Sequence, residues 1–341
     1  MREEDAGGGE LTPMSNITPD PDLADENDSA YGEDALSETT TISSWIREYR
    51  IENGRTYHAF HDGKYWGSND EAANEHYDIC HVLYTKTFHG RLFLAPINPN
   101  PSAVLDLGTG TGIWAIDFAD QFPSAIVTGT DLSPTQHYYT PPNVRFEIDD
   151  MESPWTFQEN HFDMIHIRGL HGSIVDWPGV YQQCMRALKP GGYLEQSEYS
   201  AQFTSDDNTA PPNGGLALWN TTGPECHRVL NRELQILDSM RQHMINIGFQ
   251  DVVEHRFKWP IGPWAKDPFF KHLGHWSKLH VESGLENWTL RLLTSVLGWS
   301  ADEVRIMCAS VRRELRDPSV HAVHRMNTVF GRKPLGIPPG S

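Results

Sequence analysis

The sequence predicts an α/β fold built on a doubly wound, largely parallel sheet, and two observations carry that expectation. From residue 103 onward, short apolar runs rich in β-branched residues alternate with stretches of helical periodicity, the sequence form of βαβ units. The first run, "AVLDL", leads into three glycines at alternate positions, Gly108, Gly110 and Gly112, and then into a helical segment. A glycine-rich turn between a first strand and a first helix is where such sheets hold a nucleotide.

The totals agree with this class. A chain of 341 residues has room for one elaborated α/β domain or two small ones, and a hydrophobic content of 38% supports a sizeable core. Cys80, Cys184, Cys226 and Cys308 are widely separated and form no C-x-x-C pair. They read as reduced, packed thiols of an intracellular protein, with neither disulfides nor a metal site expected. No apolar run is long enough to span a bilayer and the N-terminus lacks a signal-peptide pattern, so a soluble cytoplasmic or nuclear protein is expected. The net charge of −19 is uneven, because residues 1–44 hold twelve Asp/Glu against one Arg. So acidic a chain is ill suited to direct nucleic-acid binding, which needs cationic surface. Small molecules and proteins are the expected partners.

Residues 1–40 have Tyr31 as their only aromatic and are rich in Gly, Pro, Ser, Asp and Glu, which predicts a disordered acidic tail. Residues 41–100 read as a helical and aromatic lid. In it, "TISSWIREYR" is a helix capped by Ser43 or Ser44, and "RTYHAFHDGKYW" is two extended pieces turning at Asp62-Gly63. A second helix follows from the N-cap candidate Asn69, with Asp70 and Glu71 favourable to its dipole.

Within 101–335, "AVLDL", "AIVTGTD", "VRFEID", "FDMIHIR" and "GYLEQSEY" are the expected strands, with "IWAIDFADQF", "SPTQHYY" and "WPGVYQQCMRAL" as helices between them. Lys189-Pro190-Gly191-Gly192 ends the last of these helices and turns into the fifth strand. Beyond it come helical cap insertions at about 205–247 and 262–318, the first broken at Gly223-Pro224. "DVVEHRFKWP" is expected as a sixth strand and "HAVHRMNTVFGRKP" as the last.

The glycine turn fits G-x-G-x-x-A at Gly110, Gly112 and Ala115, with Asp131 placed 19 residues beyond Gly112 where a dinucleotide's ribose-binding acid belongs. Asp106 argues against a dinucleotide, since a carboxylate at the tip of the first strand would repel a pyrophosphate. S-adenosylmethionine has no phosphate and brings an ammonium and a sulfonium that welcome this charge. Gly108, Gly110 and Gly112 then let the backbone approach the methionine and ribose portions. Asp131 can take both ribose hydroxyls. Asp150 in "IDDME" can accept from the adenine amino group while Met151 covers the ring. Tyr57, in the lid, is a candidate for the methionine carboxylate.

The stretches "VLDLGTGTGIWAIDFADQFPSAIVTGTDLSP", "PPNVRFEIDD" and "FDMIHIRGLHGSIVDW" closely resemble the fungal LaeA-like methyltransferases, including the UMTA-type members. The resemblance starts near "RTYHAFHDGKYWGSNDE", returns at "GWSADEV" and "VFGRKP", and covers most of residues 45–335. It implies a class I methyltransferase (Rossmann-like) fold whose seven-stranded sheet has an antiparallel last strand. It also implies cofactor contacts from Asp106, Gly108, Gly110, Asp131 and Asp150. Members of that family are regulators of secondary metabolism, some in nuclear complexes with velvet-domain proteins, and others are tailoring enzymes. The stretch "RGLHGSIVDW" is closer to the UMTA-type branch.

For catalysis, His171 in "RGLHGS" is the candidate base or substrate-orienting group, and Arg168 at the strand end is a candidate carboxylate anchor. His166, alternating within "MIHIR", reads as a core histidine. "FKWPIGPWAKDPFF" is either an acceptor-pocket lining or a packed cap. Two functions stay open: O-methylation of a small metabolite, and regulation through a velvet-type partner or protein methylation.

Overall fold

Strand β3 (Ala103–Leu107) is buried along its whole length, as a central strand covered on both faces must be. Its side chains alternate between two cores. Leu105 and Leu107 pack with Tyr181 and Cys184 on one face, and Val104 packs with Trp114 and Phe118 on the other. The computed structural model describes residues 17, 46, 48–137 and 139–335.

In chain order, a small hairpin β1 (Arg50–Glu52) and β2 (Arg55–Tyr57) precedes α1 (Glu71–Thr87), β3, α2 (Ile113–Gln121), β4 (Ile126–Asp131) and β5 (Val144–Ile148). Then come β6 (Phe162–Arg168), α3 (Trp177–Ala187), β7 (Leu188–Tyr199), β8 (Thr204–Ser205), α4 (Gly215–Leu230) and α5 (Met240–Ile247). The chain closes with β9 (Gln250–Pro260), α6 (Pro268–Val296), α7 (Ala301–Arg316) and β10 (Ala322–Arg332). The main sheet runs β5-β4-β3-β6-β7-β10, with β9 on the far side of β10 and the two-residue β8 extending the line of β7. Strands β3 to β7 are parallel, and β10 is antiparallel to both β7 and β9. This is the class I methyltransferase arrangement that the resemblance implies. Among the described residues no helix is long and apolar enough to cross a membrane.

Several local expectations are corrected. Ser43 and Ser44 lie outside the described residues, as does the acidic tail except Ile17, which is buried beside Trp264 and Val323. The extended pieces of the lid are β1 and β2, which turn at Asn53-Gly54, and Asp62-Gly63 turns without a strand after it. Helix α1 is capped by Asp70, which accepts from Ala73 N at 3.0 Å. Asn69 instead donates to Ser133 Oγ at 3.2 Å. A charged acceptor at the positive end of the helix outcompetes the neighbouring amide.

The described part of "SPTQHYY" is not helical, because its bonds go to the glycine turn. His137 N donates to Thr111 O, and the side chains of Thr135 and Gln136 bond Gly110 O. Nor does Gly223-Pro224 break α4. Proline removes the N–H that would reach the Asn220 carbonyl, and Gln202 Nε2 fills that gap at 3.0 Å. The proposed first insertion is split as well. Helix α4 packs with α6 and α7 in a cap core, whereas Met240 and Met244 of α5 belong to the core beside α3.

Candidate active site

The parallel strands deliver their carboxyl ends to one edge of the sheet, where open α/β sheets bind ligands. A cleft of about 1310 Å³, open to solvent, lies there, and its walls include Asp106, Asp131, Asp150, Met151 and Arg168. The N-terminal lid and α1 form the opposite wall with Trp66, Asn69 and Tyr77.

Asp106 is paired in register with His166 on β6, its Oδ1 2.7 Å from His166 Nδ1, while Thr109 Oγ1 donates to its Oδ2 at 2.6 Å. Trp114 stacks on the His166 ring at 3.8 Å, and burial holds that imidazole below its ordinary pKa despite the acid beside it. The acid therefore fastens the turn to the sheet.

The three glycines differ in their work. Gly110 lines the cleft with φ +57°, and a Cβ there would meet nothing within 4 Å, so its backbone is open to a ligand. A Cβ on Gly108 would come within 2.8 Å of Leu170 at the cleft wall. Gly112 does not line the cleft. With φ +82°, its hydrogen faces the Phe146 ring, which a Cβ would meet at 2.3 Å. Its missing side chain therefore makes room for the Phe146 ring.

Asp131 accepts from Gly110 N at 2.9 Å and Ser133 N at 3.0 Å, and burial pushes its pKa up to about 6. Asp150 Oδ2 takes His61 Nδ1 at 2.9 Å and Lys64 Nζ at 3.4 Å. Burial raises its pKa, but His61, the Glu152 N–H and Lys64 outweigh that and hold it below the ordinary carboxylate range. Three carboxylates and an open glycine backbone suit a ligand with an ammonium, a sulfonium and ribose hydroxyls but no phosphate. S-adenosylmethionine fits this donor set.

Arg168 lies over the Tyr84 ring at 4.9 Å and donates to His81 Nδ1 at 3.1 Å, while His81 Nε2 bonds Asp117 at 2.9 Å. Burial lowers the His81 pKa, which keeps its Nδ1 available as an acceptor. The guanidinium is fixed in the cleft wall.

Tyr57 and His171 are placed elsewhere. Tyr57 does not line the cleft. It is buried beneath the Arg291 guanidinium at 4.6 Å, and burial pushes its hydroxyl up to about 12. His171 lines a second, inner chamber that shares Trp66, Tyr199 and Trp288 with the cleft. Glu198 Oε2 accepts its backbone N–H at 3.1 Å and lies 3.5 Å from its Nδ1. The stretch "FKWPIGPWAKDPFF" lines neither space, and Phe257, Trp259 and Ile261 pack in the cap core.

Trp288 and Tyr199 were not legible as site residues. Tyr199 ends a parallel strand beside the other tips, a position that does signal a ligand edge. Trp288 arrives from the middle of a 29-residue helix after the sheet, with no local mark.

Residues 76–254 match the methyltransferase domain family. The methyltransferase pytC of Aspergillus terreus is 39% identical over 303 residues, 88% of this chain and 93% of that protein. The secondary metabolism regulator LAE1 of Cochliobolus heterostrophus is 37% identical over 83% of this chain and 94% of its own. The protein-methionine methyltransferase laeA of Emericella nidulans is 31% identical over 89% and 82% respectively. With the fold, the cleft and these relatives together, the chain belongs to the LaeA-like family of fungal S-adenosylmethionine-dependent methyltransferases of secondary metabolism.

Proposed function

We propose that this methyltransferase acts on a small metabolite at oxygen, with His171 as the base. One observation carries the reading: the cleft leads past Trp66, Tyr199 and Trp288 into a buried chamber, and His171 is in that chamber's wall with a carboxylate beside its Nδ1. Walls that are mainly apolar and aromatic, with no charged residue among them, suit a small uncharged acceptor.

Asp131 would hold the ribose hydroxyls of S-adenosylmethionine, Asp150 and Met151 the adenine, and Arg168 the methionine carboxylate. In the reaction the acceptor oxygen bonds the methyl carbon as the C–S bond breaks, its electron pair stays on sulfur as S-adenosylhomocysteine forms, and the hydroxyl proton passes to His171. Glu198 holds the His171 backbone N–H at 3.1 Å and so fixes the loop that carries the ring. Holding acceptor and methyl in line supplies on the order of 7–11 kcal/mol of such a barrier. The base adds roughly 10²–10⁴-fold.

The test is label transfer from methyl-labelled S-adenosylmethionine into a fungal extract, followed by separation of the protein and small-molecule fractions. Label in the small-molecule fraction, reduced about 10²-fold or more by His171→Gln with S-adenosylhomocysteine affinity intact, supports the reading. Label confined to protein overturns it. The similarity to a protein-methionine methyltransferase gives that second outcome substance. A methionine thioether has no proton to lose, so protein methylation would proceed without His171.

A further inference from the structure

The inner chamber adjoins the cleft, and Trp66, Tyr199 and Trp288 line both spaces. Its walls are mainly apolar and aromatic, with Trp219, Trp288, Tyr199, Leu292 and Met307 among them. None of the residues that line it is an Asp, Glu, Lys or Arg.

Set into these walls are polar atoms with no hydrogen-bond partner in the protein. Besides Nδ1 of His171, they are Nδ1 of His227, both ring nitrogens of His324 and Nε1 of Trp66. Those of His227, His324 and Trp66 come from α4, β10 and the lid, and each of these residues is more than nine-tenths buried. An orphaned buried donor or acceptor costs about 1–3 kcal/mol, and folded proteins rarely leave several around one space without use for them. Burial pushes His227 and His324 down to about 3, so at neutral pH each ring presents one donor and one acceptor.

Gly223 adds an independent sign. It lies inside α4, where glycine costs about 1 kcal/mol relative to alanine. No close approach requires it, since a Cβ there would meet nothing nearer than Leu234 Cδ2 at 4.0 Å. What its missing side chain provides is room in the chamber wall.

We propose that this chamber binds the methyl acceptor, and that the acceptor is an uncharged, oxygenated aromatic molecule. The assignment rests on the small-metabolite reading above and names its substrate class. Aromatic walls reward a flat apolar body by offset stacking. The unpartnered nitrogens of His227, His324 and Trp66 meet hydroxyl or carbonyl oxygens. A carboxylate or amine would be stranded, because no opposite charge lines the chamber.

The experiment is calorimetric titration of the full chain, saturated with S-adenosylhomocysteine, with 2-naphthol and with naphthalene-2-carboxylate. 2-Naphthol is expected to bind at least about tenfold more tightly than the carboxylate. Gly223→Leu, which fills the chamber without backbone strain, is expected to weaken 2-naphthol by more than about tenfold and leave S-adenosylhomocysteine affinity within about twofold. His324→Phe, which keeps the ring and removes both nitrogens, is expected to weaken 2-naphthol by about fivefold to tenfold. Absence of 2-naphthol binding, equal binding of the carboxylate, or unchanged binding by Gly223→Leu overturns the proposal. The two readings fail separately. Label only on protein would sink small-metabolite methylation while the titrations stand, and failed titrations would sink the chamber while small-molecule label stands.

Discussion

Asp106 and His166 face each other across adjacent parallel strands, with Oδ1 of the acid 2.7 Å from Nδ1 of the imidazole. Both are buried, and the acid's other oxygen is taken by Thr109. The carboxylate that marks the cofactor turn is thus already committed to holding it. Asp106→Ala leaves two buried donors without acceptors, and the expected loss is about 2–4 kcal/mol of stability along with weaker cofactor binding. Asp106→Asn, which keeps one acceptor, should lose about half as much. Urea unfolding and titration with S-adenosylhomocysteine measure the two effects. Lost binding at unchanged stability would mean that Asp106 acts on the ligand directly.

Gly110 and Gly112 predict opposite phenotypes. Both have positive φ, so alanine costs about 1 kcal/mol of backbone strain at either. At Gly110 the new methyl enters open cleft space, so Gly110→Ala should fold near normally and bind S-adenosylhomocysteine at least about tenfold more weakly. At Gly112 the methyl would collide with Phe146, so Gly112→Ala should lose about 2–4 kcal/mol of stability. Thermal unfolding beside titration separates them. If Gly112→Ala is stable but does not bind, its role is contact with the ligand after all.

What the sequence made legible was local. Strand β3, the glycine turn and α2 are contiguous, so their apolar run and their need for positive φ are written in one stretch. Asp106, Asp131 and Asp150 could be read because parallel strands send all their carboxyl ends to one edge. The failures are non-local. Pro224 looks like a helix break until Gln202, a residue outside that helix, takes the carbonyl it orphans. The run after Ser133 looks helical until its groups bond the glycine turn. His171 reads from the sequence as a candidate base or substrate-orienting group in the loop after β6. The chamber around it needs Trp219, Trp288 and Met307 from three later helices, which no pattern near His171 announces.

The assignment of Asp131 to the ribose hydroxyls predicts a pH dependence. Burial raises this carboxyl to about 6, and only the ionised form accepts from both hydroxyls. Affinity for S-adenosylhomocysteine should be full above about pH 7 and fall as pH drops through 6, approaching tenfold per unit. Asp131→Asn should bind more weakly at neutral pH and lose this slope. A slope that persists in the variant would assign it to another group.

Glu195 offers a stability test away from the cleft. It is fully buried on β7, where Leu94 N and Ala95 N donate to its Oε2 at 2.8 and 2.6 Å and Oε1 has no partner. Burial raises its pKa to about 7 from an ordinary 4.5, against the pull of those two N–H groups. Between these values the folded chain binds more protons at this site than the unfolded chain does. Its contribution is therefore fully present below pH 4.5 and lost as pH rises through 7, by about 3 kcal/mol in all. Asp131 shifts in the same direction at lower pH, so the comparison is between wild type and Glu195→Gln across the same buffers. The glutamine carbonyl can still accept from Leu94 and Ala95, and its amide does not ionise. Urea unfolding should show the variant gaining stability relative to wild type from pH 5 to 8. A constant difference over that range would mean that Glu195 is ionised throughout, with a cation or water supplying what the two N–H groups do not.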